Sequence, residues 1–576
     1  MPVLSATQEA ILRLLALGWC AAAVWFWLWW LAAARGPWTL GRGAASALLS
    51  WVFFLGAYFL FFACRMSRPN PLIEPPRCRV AMVVTKAPSE PWPVVQRTLV
   101  AMLSQEFGQY DVWLADEDPS DESLSWCREA GVQLSTRRGV DAYQRPDWPR
   151  RARCKEGNLA FFYDRFGYER YEIVAQLDAD HVPARTYLRE MLRPFADPRV
   201  GYVAAPSICD ANERSGWTVK GRLFREASMH GPIQAGCNGG WAPVCIGSHY
   251  AVRTAALRSV GGLGPELAED YTTTLWLQSA GWDGVFAIDA EAHGDGPETV
   301  NDMLTQELQW SRSLGAILVR WAPGRLRRAP LRARARLTFA LVFYLMQSVM
   351  FSVAALLPPA ALLTRVSWGN ASLASFYLHL WLCSIVLFIT LRYLRRCRVL
   401  RPEAAKTFSF DLVLFQLVRW PVVAWGFVQG MWHGSRRRGS PPRVTPKGTR
   451  TAEPLRPSFV LPLFGLGLLP LTAAAAAPHT SRTIGFLSIA ITQGLVYTVA
   501  GVAVVALHIH SARRKKKAEQ VSASESNRAE PVPTVDRQRL TDHRVVATAS
   551  QALNLDQSLA GAAQTPVGGQ RPIRPV

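Results

Sequence analysis

The sequence predicts an α/β domain with a mainly parallel sheet, set as an insert between α-helical membrane segments of about six spans. Three observations lead there. Two apolar runs near the start, "ILRLLALGWCAAAVWFWLWWLAAA" (11–34) and "GAASALLSWVFFLGAYFLFFAC" (43–64), each reach the ~20 residues a bilayer crossing needs. Between about 75 and 315 the apolar runs shorten to β-rich stretches alternating with helical periodicity, the pattern of βαβ units. After 315 long apolar runs return, at 337–363, 373–391, 409–430, 457–477 and 484–509.

The first run extends well past the apolar length of a signal peptide and a second follows at once, so both read as membrane helices within 1–70. In the insert, "CRVAMVVT", "YDVWLAD", "YEIVAQLDAD" and "VGYVAAP" read as strands, with "WPVVQRTLVAMLSQEF" and "YLREMLRPFAD" as helices. Ligands of such sheets bind beyond the carboxyl ends of the strands. Asp116 and Asp118 follow one strand and Asp178 and Asp180 another, which places both acidic pairs at one cleft.

Orientation comes from Lys and Arg near span ends. "LRYLRRCRVLR" (391–401), "SRRRGSPPRVTPKGTR" (435–450) and "ARRKKK" (512–517) are all expected on the cytoplasmic side. The run at 409–430 lies between two of them and carries Asp411, Gln416, Arg419 and Pro421, so residues 404–432 are expected to lie in the interface as an amphipathic helix. That leaves two spans before the insert, two in 337–395 and two in 455–510, with the domain at 75–315 cytoplasmic and the chain multi-pass in the cell (inner or plasma) membrane. A basic segment at 316–336 would lie along anionic headgroups, a loop follows at 433–454, and a polar, disordered tail covers 511–576. Basic residues at span ends account for much of the net charge of +21 and call for membrane lipids rather than nucleic acid as the partner. The ten cysteines form no CxxC pair and are expected to be plain thiols.

Chemistry is concentrated in three stretches. "DADH" (178–181) closes a buried strand, where two carboxylates suit a hard divalent cation able to grip a diphosphate. "LAEDYTTTLWLQSAGW" (267–282) opens a helix on Glu269 and Asp270. The pair serves either as an acidic first turn facing the helix dipole or as a base for an attacking hydroxyl. "GDGPETVNDMLTQELQWSRS" (294–313) puts Gln306, Gln309, Trp310 and Arg312 on a helix near the membrane boundary, where a Trp also suits an interfacial anchor.

Taken in order, these motifs resemble the processive, membrane-embedded glycosyltransferases of family 2, bacterial cellulose synthase catalytic subunits first and hyaluronan and chitin synthases next. "EP" (Glu90–Pro91), "LADED" (114–118), "KEGNL" (155–159), "DADHVPAR" (178–185), "AED" (268–270), "GPET" (296–299) and "RVTPKG" (443–448) follow the family order. The resemblance implies a Rossmann-like GT-A fold and transfer of sugar, with inversion, from a UDP-sugar to a growing polysaccharide that leaves through the membrane helices.

It also implies roles. Glu90, Asp116, Asp118, Lys155, Gln306, Gln309 and Arg312 fall at donor-binding positions. Asp178 and Asp180 would hold Mg²⁺ or Mn²⁺. Asp270 would be the base, and Glu269 and Trp310 would face the acceptor. The family's arginine is Gln309 here, and Arg312, one helical step on, is expected to supply the missing cation. "TKAPSEP" lacks the usual aromatic residue before its acid, and "AED" lacks a threonine. "DQSLAG" (556–561) matches half of a cyclic-di-GMP-binding motif without its companion arginines, so any such control would come from a separate regulatory or export subunit.

Overall fold

The structure is a computed structural model that describes residues 1–33, 39–365, 372–436, 453–477 and 484–526. The loop motif at 443–448 and the tail motif at 556–561 lie outside the described residues. The chain divides into two compact units, Met1–Lys515 and Lys516–Val576. The second is described only as far as Ser526, and there it is helical.

Among the described residues, ten strands form two sheets: β1 (Val80–Lys86), β2 (Asp111–Asp116), β3 (Gln133–Ser135), β4 (Ile173–Asp178), β5 (Val182–Pro183), β6 (Val200–Ala204), β7 (Ser207–Ile208), β8 (His249–Arg253), β9 (Asp283–Phe286) and β10 (Ala292–His293). The main sheet runs β3-β2-β1-β4-β8-β6-β9, and the small one β5-β10-β7. β1, β2, β3 and β4 pair in parallel, as do β6 and β9, while β8 is antiparallel to both its neighbours. The main sheet is therefore mainly parallel, as its apolar, two-face-buried strands require. Val80, Met82 and Val84 of β1 face one core with Val95 and Leu99, and Ala81 and Val83 face the other with Trp113 and Phe162.

The register sets up the cleft. Lys86 pairs with Asp116 across β1 and β2, and Thr85 with Asp178 across β1 and β4. Asp116 and Asp178 thus end strands two places apart on the same sheet edge, separated by about 10 Å at ~4.8 Å per strand.

Among the described residues, seven helices are long and apolar enough to cross a membrane, one more than the six spans read from the sequence. The addition is Phe410–Ser435, which qualifies by length and composition and is half-buried within the protein. Glycines let it pack closely on the helix Val300–Arg320. A Cβ at Gly426 would run into Ser311, one at Gly430 into the Arg312 carbonyl, and one at Gly434 into Ala316, while Gly315 sits under Phe427. Small residues of this kind bring two backbones together. Arg419 donates to Glu307 across the same contact, and both side chains are buried.

The basic segment at 316–336 is divided among three helices, ending one at Arg320, forming Ala322–Leu326 and beginning Leu331–Thr364. Arg327, Arg328, Arg332 and Arg334 are exposed. Arg336 instead turns inward to Cys237 at 3.2 Å. All ten cysteines are free.

Candidate functional site

Each motif owes its place to contacts around it. "KEGN" begins the helix Lys155–Phe162 behind a loop organised by fully buried Arg137, which donates to the Tyr143, Arg151 and Cys154 carbonyls and to Glu117. Gly157 sits where a Cβ would strike Arg137 Nη1 and the Arg151 carbonyl, so only glycine fits. Asn158 donates to the Ala115 carbonyl at 2.8 Å, fastening the helix to β2 beside Asp116. Glu156 accepts from the Arg150 and Arg151 amides. These anchors fix where Lys155 stands.

Lys155 is the hub. Its ammonium donates to Asp178 Oδ1 at 2.6 Å and to the Gly247 carbonyl, and lies 4.0 Å from Glu269. Burial alone would lower its pKa, but the surrounding carboxylates of Asp178, Glu269 and Asp270 outweigh that and raise it. Ala179, buried beneath the two acids, has its carbonyl held by Thr98 at 2.7 Å. Asp180 Oδ1 faces His181 Nδ1 at 3.0 Å, and His181 Nε2 faces Ser207 Oγ at 3.1 Å. Ligand atoms of Asp178, Asp180 and His181 all fall within 4.8 Å of one another.

Glu269 and Asp270 open the helix Glu269–Ser279, tied down by Ser313, whose hydroxyl accepts from the Ala268 amide at 3.0 Å. Both carboxyls are pushed up by burial. For Glu269, Lys155 opposes the rise while Asp270 and Asp178 add to it. For Asp270, the Tyr271 amide and Lys155 oppose it. Glu269 Oε1 is buried without a hydrogen-bond partner. One ammonium therefore serves three carboxylates, Asp178, Glu269 and Asp270. The candidate metal-ligating group among the described residues is Asp178, Asp180 and His181, and its two carboxylates fit a divalent cation of the Mg²⁺ or Mn²⁺ kind.

The other expected residues divide. Asp116 is fully buried and paired with Lys86 at 3.0 Å. Asp118 turns outward to Arg138 at 3.3 Å, contributing only its amide, which donates to Asp116 at 3.0 Å. Glu90 accepts from the Ala87 amide at 2.8 Å and so shapes its own turn. On the helix Val300–Arg320, Gln306 accepts from Arg222 at 3.1 Å, and the Arg222 guanidinium lies over the Trp310 ring at 4.8 Å. Gln309 is partly exposed. Arg312 donates to Gln429 at 2.8 Å, so the contact it makes is to the helix Phe410–Ser435. Lys86, His181 and Arg222 were missed by the sequence reading. Lys86 could have been found as the cation that ends the strand before the one Asp116 ends, and the two are register partners, whereas nothing in the sequence connects Arg222 with Trp310.

Residues 173–423 match the family model for glycosyl transferase family group 2. The chain carries a family 2 glycosyltransferase domain. That domain contains the acidic cluster, the Glu269–Asp270 pair and the helix bearing Trp310. Among curated relatives, the chain is similar to the cellulose synthase catalytic subunit of Xanthomonas axonopodis pv. citri, 26% identical over 53% of this chain and 42% of the relative. It is likewise similar to that of Pseudomonas fluorescens, 26% identical over 39% of this chain and 29% of the relative. The matched stretches thus span less than half the length of these relatives. A solved mannosyltransferase from Pyrobaculum calidifontis, in complex with GDP-Man and Mn²⁺, is 18% identical over 74% of this chain and 99% of that one, with a TM-score of 0.39. The mainly parallel α/β sheet expected from the sequence is present, and among the described residues seven candidate membrane helices flank or follow the domain.

Proposed function

We propose that this chain transfers sugar from a UDP-sugar to a growing polysaccharide, with inversion and with a divalent metal, and passes the product out through its own membrane helices. A β-glucan is the favoured product. The observation that carries the reading is the convergence of Lys155, Asp178, Asp180, Glu269 and Asp270 on one sheet edge, with the Trp310 helix fastened beside it through Ser313.

Asp178 and Asp180 would hold the metal, which when bound supplies charge to a departing diphosphate. Asp116, about 10 Å along the edge, suits the nucleoside end of the donor. Lys155 offers an ammonium to the diphosphate. Asp270, with its carboxyl raised toward neutrality, accepts the proton of an acceptor hydroxyl as that oxygen attacks the anomeric carbon. In-line attack inverts that carbon. Trp310 supports the acceptor sugar on its open face, since Arg222 covers the other. Arg222 at that ring also gives a second reading some footing: an acceptor carrying carboxylates, as in a hyaluronan-like copolymer, would find a guanidinium beside its stacking surface.

An interfacial position for Phe410–Ser435 is supported by its contacts. Its first turn lies against Gly221 of the domain and its last against Ala316 and Val319, so both ends stay beside the catalytic unit. A single crossing would carry one end away by the ~30 Å of a bilayer core.

The test is incorporation of radiolabelled sugar by lipid-reconstituted protein, given UDP-glucose, UDP-N-acetylglucosamine and UDP-glucuronate singly and in pairs with Mg²⁺ or Mn²⁺. High-molecular-weight product from UDP-glucose, absent in Asp270→Asn, is the expected outcome. Product requiring two donors would replace the β-glucan reading with the copolymer. Release of single-sugar lipids would replace polymerisation with a non-processive transfer.

A further inference from the structure

Away from the catalytic edge, a half-open cavity of about 190 Å³ lies between the helix Trp217–Glu226, the end of the helix Leu373–Arg396 and the start of the helix Phe410–Ser435. Its polar lining is Arg225, Ser228, Lys406, Thr407 and Gln416, and its apolar lining includes Phe224 and Leu400. Ligand sites for molecules the size of a nucleotide run to about 300 Å³ or more, so this one suits a smaller group.

Several features favour an anion there. Lys406 is exposed and makes no ion pair among the described residues. Arg225 reaches the cavity from the other side, sharing Glu226 at 3.5 Å with Arg222 and His230. The helix Phe410–Ser435 begins at the same place: Ser409 accepts from the Leu412 amide at 3.1 Å, and the positive end of the helix dipole adds to the two cations. The opposing charges are Asp411 on that first turn, Glu226, which is spread over Arg222, Arg225 and His230, and Glu403, which already engages Arg398 and Arg401. The surroundings supply the second half of the argument. Phe408 and Phe410, flanking the rim, are 70% and 60% exposed, and the adjoining membrane helix ends in exposed Arg392 and Arg396. Large apolar rings beside arginines at a span end mark the headgroup level of a bilayer.

We propose that this cavity binds the phosphate headgroup of an anionic membrane lipid, with Lys406 and Arg225 on the phosphate, Thr407 and Gln416 on the glycerol, and Phe224 and Leu400 against the start of the acyl chains. The site is separate from the donor and acceptor residues and does not depend on which sugar the enzyme uses. It has a definite volume and wall, unlike a diffuse basic surface, so it should hold one lipid per chain.

The experiment is native mass spectrometry of the full chain extracted from nanodiscs of phosphatidylglycerol or of phosphatidylcholine. Variants Lys406→Glu and Thr407→Trp reverse the exposed charge and fill the cavity, and Arg396→Glu is an equal charge change outside it. Unfolding midpoints check that all three are folded. One phosphatidylglycerol retained per wild-type chain is expected, with retention lowered at least tenfold by either cavity variant, unchanged by Arg396→Glu, and no retained phosphatidylcholine. Equal loss in Arg396→Glu would reduce the effect to general surface attraction and overturn the site. Wild-type retention in both cavity variants would overturn it as well. Displacement of the lipid by millimolar inorganic phosphate would reassign the cavity to a free phosphate anion.

Discussion

Replacing Lys155 by methionine keeps the length of the side chain and removes the one cation among three carboxylates. Lys155 donates to Asp178 at 2.6 Å and stands 4.0 Å from Glu269. An attraction at that second distance is worth about 4 kcal/mol at an effective dielectric near 20, before the cost of desolvating the ammonium is subtracted. Breaking one partner out of a buried pair costs about 3–5 kcal/mol. Because 19% of the Lys155 side chain and 31% of that of Asp178 remain accessible, solvent screens part of this, and about 2–3 kcal/mol is the expected loss for Lys155→Met. A divalent ion held by Asp178 and Asp180 would return positive charge beside Asp178 and offset part of the missing ammonium. Saturation at a hundred times its Kd contributes about 2.7 kcal/mol, enough to restore most of the stability. The assay is denaturant unfolding of the detergent-solubilised protein with and without Mn²⁺. A variant as stable as wild type in the absence of metal would refute the hub, and Mn²⁺ that stabilises neither protein would refute the metal assignment.

Asp270→Asn should lower sugar transfer by about two to four orders of magnitude while leaving UDP binding intact, measured by parallel turnover and binding titrations. The pH profile has a worked sign. The Asp270 carboxyl is raised, so activity is lost on acidification at a pH above the ordinary carboxylate range. Lys155 opposes that rise, so Lys155→Met should move the acid limb higher still. The same raised pKa makes Glu269 and Asp270 most favourable to stability in acid, with that contribution fading as pH climbs through the raised values. Glu307→Gln or Arg419→Met alone should destabilise by about 3–5 kcal/mol, and the double replacement by much less, read from a double-mutant cycle. Cysteines at Lys406 and Ser435 should label from the same side of the membrane, and labelling from opposite sides would make Phe410–Ser435 a seventh span.

Local chemistry determined much of this protein. A buried strand that ends on Asp178 and turns through Ala179 to Asp180 keeps both acids at the strand's carboxyl end, where the cleft of such a sheet lies. Helix-opening acids, long apolar runs and clustered arginines likewise carry their meaning in a few consecutive residues, which is why the inserted domain, its acidic pairs and most of the membrane helices were legible. Partners distant in sequence were not. Lys155 with Glu269, Arg222 with Trp310 and Arg419 with Glu307 lie 114, 88 and 112 positions apart, and no periodicity relates them. Arg312 shows the same limit from the other side. Its spacing from Gln309 suggests a replacement cation, a role that stays a proposal, and helical spacing fixes only a direction on one helix. The neighbour in that direction is Gln429, brought there by the glycines that let two helices touch. Sequence settled which chemical groups the chain possesses and on which elements they sit. Packing decided which charges meet, because the strength of a charge interaction depends on distances and burial that only the folded chain sets.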